Sequence, residues 1–395
     1  MELHNNSFHL HAAEIFSEEG IIEDAWVEVA DGIITKISKE RGSLNVPVID
    51  KSDYKLLPGF IDLHIHGCGD HDAMDDDPEA INDMSSLLAA KGITGFQPTT
   101  VTASWQENLA VMERLGNEVR QQQPGAQALG IYSEGIFFTE AHKGAHDSSL
   151  FLPPNKERLQ QMIDASKGAL STVAVAAELP ECEEIIPWLC RQGIHVSVGH
   201  TNATYEQTVH AIELGATAGV HIFNGMSGLH HRNPGCAGAI LSNSHVLAEM
   251  IADGIHIHPA VLNIVATVKG AEKTALISDC SRAGMMPDGK FMLGPLEITV
   301  SNGIARTENG SLAGSTLSLN KAVHNMIHLA GINPLDAVHM ASLSPAKHLG
   351  IDHKVGSIAV GKQADLVAMA NDFSVDTTWV NGNKVYQNSD TAKAA

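Results

Sequence analysis

The chain has 395 residues, 44% hydrophobic and 18% charged, enough apolar surface for one large folded unit or two ordinary ones. Its 25 Lys+Arg stand against 46 Asp+Glu, a formal charge of -21 that argues against nucleic acid or an anionic membrane as partner and leaves a phosphate ligand dependent on a local metal, Arg or backbone N–H groups. The five cysteines (Cys68, Cys182, Cys190, Cys236, Cys280) show no CxxC spacing, Met1 leads straight into polar residues, and no run reaches the roughly 18 apolar residues of a membrane helix, so a soluble cytoplasmic protein with reduced thiols is expected.

Residues 1–56 read as the first part of a small β domain, with FHLHAAEIF (8–16) and WVEVADGIITKIS (26–38) as strands and a turn at Asp31-Gly32. At Leu57-Pro58-Gly59 the rhythm changes, and over 57–355 short apolar strands alternate with helical segments. FIDLHIH (60–66) is the first strand. A helix is expected from Pro78, capped by Asp77, with Ile81, Met84, Leu87 and Leu88 on its apolar face. GITGFQPT (92–99) is the second strand, and Ser104 with Glu107 forms a capping-box pattern that opens the next helix. ALGIYSE (128–134), a helix near 155–168, TVAVAAEL (172–179), a helix near 181–192 and IHVSVGH (194–200) continue the pattern. A Thr204/Gln207 box opens a helix to about Leu214, followed by the strands GVHIFN (219–224), VLAEMIADG (246–254) and TALISD (274–279). Eight such strands suit a closed (β/α)8 TIM-like barrel, with an open doubly wound sheet as the alternative. A β-hairpin insertion is expected near 291–314, with Asn302-Gly303 and Asn309-Gly310 turns, then helices near 316–330 and 334–348. The tail, 356–395, returns to strands and is expected to pair with the N-terminal ones in a small β-sandwich domain built from both termini.

The chemistry collects at strand ends. His64 and His66 lie two apart on the first strand and share a face. Strand three delivers Glu134, strand five ends at His200, strand six carries His221 near its start, strand eight ends at Asp279, and His256 follows strand seven. A parallel barrel brings all C-terminal strand ends to one mouth, so these residues become neighbours. Imidazoles with carboxylates suit Zn²⁺ or Fe²⁺ better than Mg²⁺. Four His, one Glu and one Asp exceed the needs of one tetrahedral ion: they suit two ions bridged by Glu134, or one ion with the other side chains in support. His195 shares a strand with His200 but faces the opposite way, and His146 and His258 fall in loops at the mouth.

At these residues the sequence resembles the amidohydrolase superfamily and, within it, the N-acetylglucosamine-6-phosphate deacetylases. The carrying motifs are PGFIDLHIHG (58–67), SEG with KGAH (133–135 and 143–146), VSVGHTNA (196–203), VHIFNGMSGLHHRNPG (220–235), ADGIHIHP (252–259), LISD (276–279) and GSIAVGKQADLV (356–367). The resemblance implies that His64, His66, Glu134, His200, His221 and Asp279 occupy metal and catalytic positions. It implies that His146 polarises the acetyl carbonyl, that Asn224 and Gly225 contact the sugar phosphate, and that Arg232 and His256 bind the phosphate. It further implies a divalent cation, Zn most of all or Fe, in one or two copies, a sugar-phosphate substrate, and a homodimer in which Arg232 reaches across the interface. Asp279 would take a proton from the attacking water and pass it to the leaving amine. Two departures border the substrate: Ile136 stands where relatives commonly have Pro, and Tyr132-Ser133 where they have His-Leu. A cyclic-amide hydrolase or deaminase, an N-acetylgalactosamine-6-phosphate deacetylase, and a non-catalytic sugar-phosphate sensor are the alternatives.

Overall fold

The computed structural model describes residues 6–389; the outermost parts of the expected β domain, 1–5 and 390–395, lie outside the described residues. Eight parallel strands form the barrel: Phe60–Ile65, Ile93–Pro98, Ile131–Ser133, Leu170–Val175, His195–Val198, Ala218–Gly219, Leu247–Ile251 and Thr274–Ile277. The last six pair in sequence order, and the first pairs with the second. The two remaining seams lie outside the regular sheet pairing and are closed by a few separate bonds. A parallel bridge joins Thr99 to Tyr132, and Asp279 N–H donates to His64 O at 2.9 Å. Asp62, fully buried, reinforces that last seam by accepting from Ser278 N at 3.1 Å. The fold is thus a TIM-like (β/α)8 barrel. Its strands, mostly apolar, are buried on both faces because one side meets the barrel interior and the other meets helices.

Both ends of the chain meet in a second layer. A seven-stranded sheet runs, in spatial order, Asn383–Gln387, Val375–Val380, Leu366–Met369, Val48–Pro58, Phe8–Phe16, Ile21–Ala30 and Ile33–Ser38. It has a separate core around Leu10, Ile15, Val27, Leu366 and Trp379. The strand Val48–Pro58 passes into the first barrel strand through Gly59, where a side chain would strike Thr94: a Cβ there would lie 2.1 Å from Thr94 Oγ1. This close approach explains the Pro-Gly step at the change of rhythm.

Several expectations are corrected. The first helix spans Ala80–Ala89, not from Pro78, because Asp77 Oδ1 accepts from Glu79 N (3.0 Å) in a local turn that delays the helix. The sixth strand ends at Gly219, so His221 lies beyond its end and not near its start; left-handed backbone at His221 (φ 26) and Phe223 (φ 74) breaks the extended run. The insertion is a three-stranded sheet, Gly289–Leu293, Leu296–Ser301 and Ile304–Thr307, not a hairpin, because Gly294 (φ 51) adds an earlier turn. The stretch near 334–348 divides at Ser342 into Pro334–Ala341 and Leu343–His348. Among the described residues no helix is long and apolar enough to cross a membrane.

Candidate functional site

A cavity of about 330 Å³ opens at the C-terminal end of the barrel, lined by His66, Glu134, His146, His200, His221, Asn224, Gly225, His256 and Asp279. Glu134 stands at its centre. Thr100 holds it from both sides, its Oγ1 accepting from Glu134 N (3.2 Å) and donating to Glu134 O (3.1 Å). One carboxylate oxygen lies 3.3 Å from His200 Nε2 and 3.2 Å from His221 Nε2. The other lies 3.3 Å from His66 Nε2, 3.7 Å from His64 Nε2 and 3.6 Å from His146 Nε2. Asp279 Oδ1 closes the ring at 3.2 Å from His66 Nε2 and 3.7 Å from His64 Nε2. Two triads result, His64/His66/Asp279 and Glu134/His200/His221, each with one donor atom per residue within 4.8 Å of the others.

The hydrogen bonds of the donor set show whether it suits a metal. His66 Nδ1 faces Thr99 O (3.1 Å), His200 Nδ1 faces His142 O (2.9 Å) and His221 Nδ1 faces Asn224 O (3.1 Å). A carbonyl only accepts, so each Nδ1 carries a proton, which leaves Nε2 as the atom each ring would offer a cation. Those Nε2 atoms converge: His200 and His221 Nε2 are 3.1 Å apart, and His64 and His66 Nε2 are 3.4 Å apart. Facing Nε2 atoms repel whether protonated or bare, and a cation bound between them removes the conflict. Buried imidazoles mixed with carboxylates are the ligands of a divalent transition metal, so the residues fit one.

Electrostatics point the same way. Burial alone would raise Glu134, but the surrounding His64, His200 and His221 rings hold it well below the usual carboxylate range. Burial would raise Asp279 too, but His66 and His64 bring it down to about 2. Burial, assisted by His200, pushes His146 down to about 3, so that ring is neutral near pH 7. His146 Nδ1 meets the Thr102 hydroxyl at 2.8 Å, and that hydroxyl also reaches Gly135 O.

Not every expected residue joins the cavity. Arg232 sits in an exposed loop with its Nη1 on His231 Nε2 (2.6 Å), away from the lining. His256 lines the cavity and is oriented by Asp253, whose Oδ2 is 2.6 Å from its Nδ1. His258 instead caps the helix Pro259–Lys269, and His195 packs on His348, centroids 4.6 Å apart. Sequence reasoning missed Leu293, Ser311 and Leu312, which the insertion brings to the cavity, and Glu249, buried behind His64 beside Tyr132. A carboxylate inside the apolar run VLAEMIA was the available signal for Glu249.

Known proteins resemble this chain over nearly its whole length. The model of the Amidohydrolase family matches residues 56–385. The N-acetylglucosamine-6-phosphate deacetylase of Vibrio furnissii is 41% identical over 365 residues, covering 92% of this chain and 91% of its own length. The N-acetylgalactosamine-6-phosphate deacetylase of Escherichia coli O157:H7 is 40% identical over 373 residues, covering 94% and 98%. The structure of a point mutant of the N-acetyl-D-glucosamine-6-phosphate deacetylase from Mycobacterium smegmatis, in complex with N-acetyl-D-glucosamine-6-phosphate, superposes with a TM-score of 0.91 at 30% identity, over 96% of this chain and 100% of that one. With its barrel, its two donor triads and these likenesses, the chain belongs to the amidohydrolase family, in the branch of the N-acetylglucosamine-6-phosphate deacetylases.

Proposed function

We propose that the protein hydrolyses the N-acetyl group of N-acetylglucosamine 6-phosphate, giving glucosamine 6-phosphate and acetate, in amino-sugar catabolism in the cytoplasm. The observation that carries this reading is the convergence of Asp279 with the His/Glu donor set in one cavity, of a volume within the ~300–1,000 Å³ usual for small-molecule sites. The cation is a divalent metal, Zn²⁺ before Fe²⁺, held by His64, His66, Glu134, His200, His221 and Asp279. When bound it supplies Lewis acidity, enough to bring the pKa of a water from ~15.7 toward ~7.

The chain's own residues do the rest. Asp279, ionised because its histidine neighbours overcome its burial, accepts the proton of the attacking water. It then delivers that proton to the departing amine nitrogen. His146 is neutral and donates from Nε2 to the acetyl oxygen, which requires the Thr102 hydroxyl to turn its single proton from Gly135 O to His146 Nδ1 when substrate binds. One donor of this kind contributes roughly 10²–10³ in turnover. Asn224 and Gly225 hold the sugar, and His256 the phosphate. Arg232 stands outside its own chain's cavity, so its phosphate contact is made across a homodimer interface, where its planar fork spans two oxygens. The same reading divides the chain into a barrel over 57–355, with the insertion, and a β domain from 1–56 with 356–395.

A second reading has its own support: a relative 40% identical is named for N-acetylgalactosamine 6-phosphate. Acetate release from both sugar phosphates and from unphosphorylated N-acetylglucosamine tests both. The proposal expects the glucosamine substrate to be fastest, and Arg232→Ala to lower kcat/KM for phosphorylated sugars only. A faster galactosamine substrate would favour the second reading, and indifference to phosphate would overturn both.

A further inference from the structure

Behind the metal-facing side of His64 lies a buried polar chain that the mechanism above does not use. Glu249 sits inside the barrel strand Leu247–Ile251 and is 1% exposed. Its Oε2 lies 3.5 Å from His64 Nδ1, and the Tyr132 hydroxyl lies 3.3 and 3.4 Å from its two carboxylate oxygens. Tyr132 is itself 1% exposed, and its ring packs on His64 with centroids 4.8 Å apart. The departure at Tyr132 noted in the sequence thus has a local partner.

We propose that Glu249, held by Tyr132, is a positioning residue: it fixes the proton of His64 on Nδ1, aims Nε2 at His66 and Asp279, and thereby gives that triad an ion of its own, so that each chain holds two. The proposal rests on the metal-dependent reading of the site. His66, His200 and His221 each set their tautomer against a backbone carbonyl. His64 alone faces a side-chain carboxylate. A side-chain carboxylate at that place orients the ring and strengthens Nε2 as a ligand more than a carbonyl does. The phenol acts as donor toward Glu249 and so fixes the orientation of its carboxylate. The carboxylate lies on the side of His64 away from the cavity, so it cannot itself act on substrate.

The test uses the intact protein, saturated with Zn²⁺ and then equilibrated with a graded series of Zn²⁺ chelators, with metal per chain read by elemental analysis. Wild type is expected to hold two ions. Glu249→Gln should lose one of them at roughly 10–100-fold higher free Zn²⁺ while keeping the other at wild-type affinity. Tyr132→Phe should shift the same ion in the same direction by less, and it decides the matter if Glu249→Gln fails to fold. Selective loss of one ion distinguishes positioning from a merely structural role, which would weaken both. Wild type saturating at one ion, or both variants holding two ions with unchanged affinity, would overturn the proposal. The titration contains no sugar, so a failure of the deacetylase reading leaves its outcome intact.

Discussion

Three of the six proposed ligands sit in left-handed backbone: His200 (φ 46), His221 (φ 26) and Asp279 (φ 48). Such conformations cost about 1–3 kcal/mol each and persist where the surroundings impose them. Here each residue follows its strand closely, and the twist turns a side chain that would lie along the barrel wall into the mouth. Gly225 (φ 58) makes room for this: a Cβ there would lie 2.8 Å from His200 Nδ1. Gly225→Ala should therefore displace the His200 ring and weaken metal at the Glu134 triad about tenfold or more, measured by chelator competition. Asp279→Asn should lower acetate release by roughly 10²–10⁴ with folding intact by circular dichroism. The identity of these residues was legible because His, Glu and Asp closed apolar runs. The twist was not, since left-handed backbone is uncommon for any residue but glycine, His and Asp included. Glu249 escaped notice because a lone Glu in a strand reads as facing solvent, and only barrel closure turns it inward.

At the scale of elements, local signals were most readable where the cap chemistry is complete. Both capping boxes form reciprocally, Ser104 with Glu107 and Thr204 with Gln207. Thr204 opens the helix Tyr205–Leu214 directly after the loop that carries His200. Thr204→Ala should cost about 1 kcal/mol, read as a lower urea midpoint at unchanged m-value. Asp77-Pro78 misled because the same Asx side chain serves a turn as readily as a cap. The insertion was seen through its Asn-Gly turns, and the Gly294-Pro295 turn that adds a third strand lacks that signature. Its Leu312 lines the cavity from a partly buried position. Leu312→Ala, losing about 1 kcal/mol of apolar contact, should raise KM for the sugar phosphate about fivefold with kcat little changed, measured by steady-state kinetics.

For the whole molecule, alternating strands and helices revealed the barrel, and β-rich ends revealed the shared sheet. The closing seam at Asp279 and His64 depends on pairing across more than 200 residues, which no local pattern encodes. Away from the site, His195 and His348 pack together, and burial pushes both down, His348 to about 3 with help from the charge of His195. A histidine depressed on folding stabilises the protein fully above its unfolded pKa near 6.5, and that contribution is lost as pH falls toward 3. Melting temperature should therefore fall between pH 7 and 4, and His348→Gln should flatten the slope. The pair is partly solvated, so the slope stays below the limit of about 1.4 kcal/mol per pH unit for one proton. The central claim, that side chains from His64 to Asp279 converge to hold a cation that hydrolysis requires, is tested most directly by acetate release while Zn²⁺ is titrated back into chelator-stripped protein. The account predicts near-zero activity at the start and a rise that saturates at a whole-number ratio of ion to chain; stripped protein cleaving N-acetylglucosamine 6-phosphate at the full rate would contradict it.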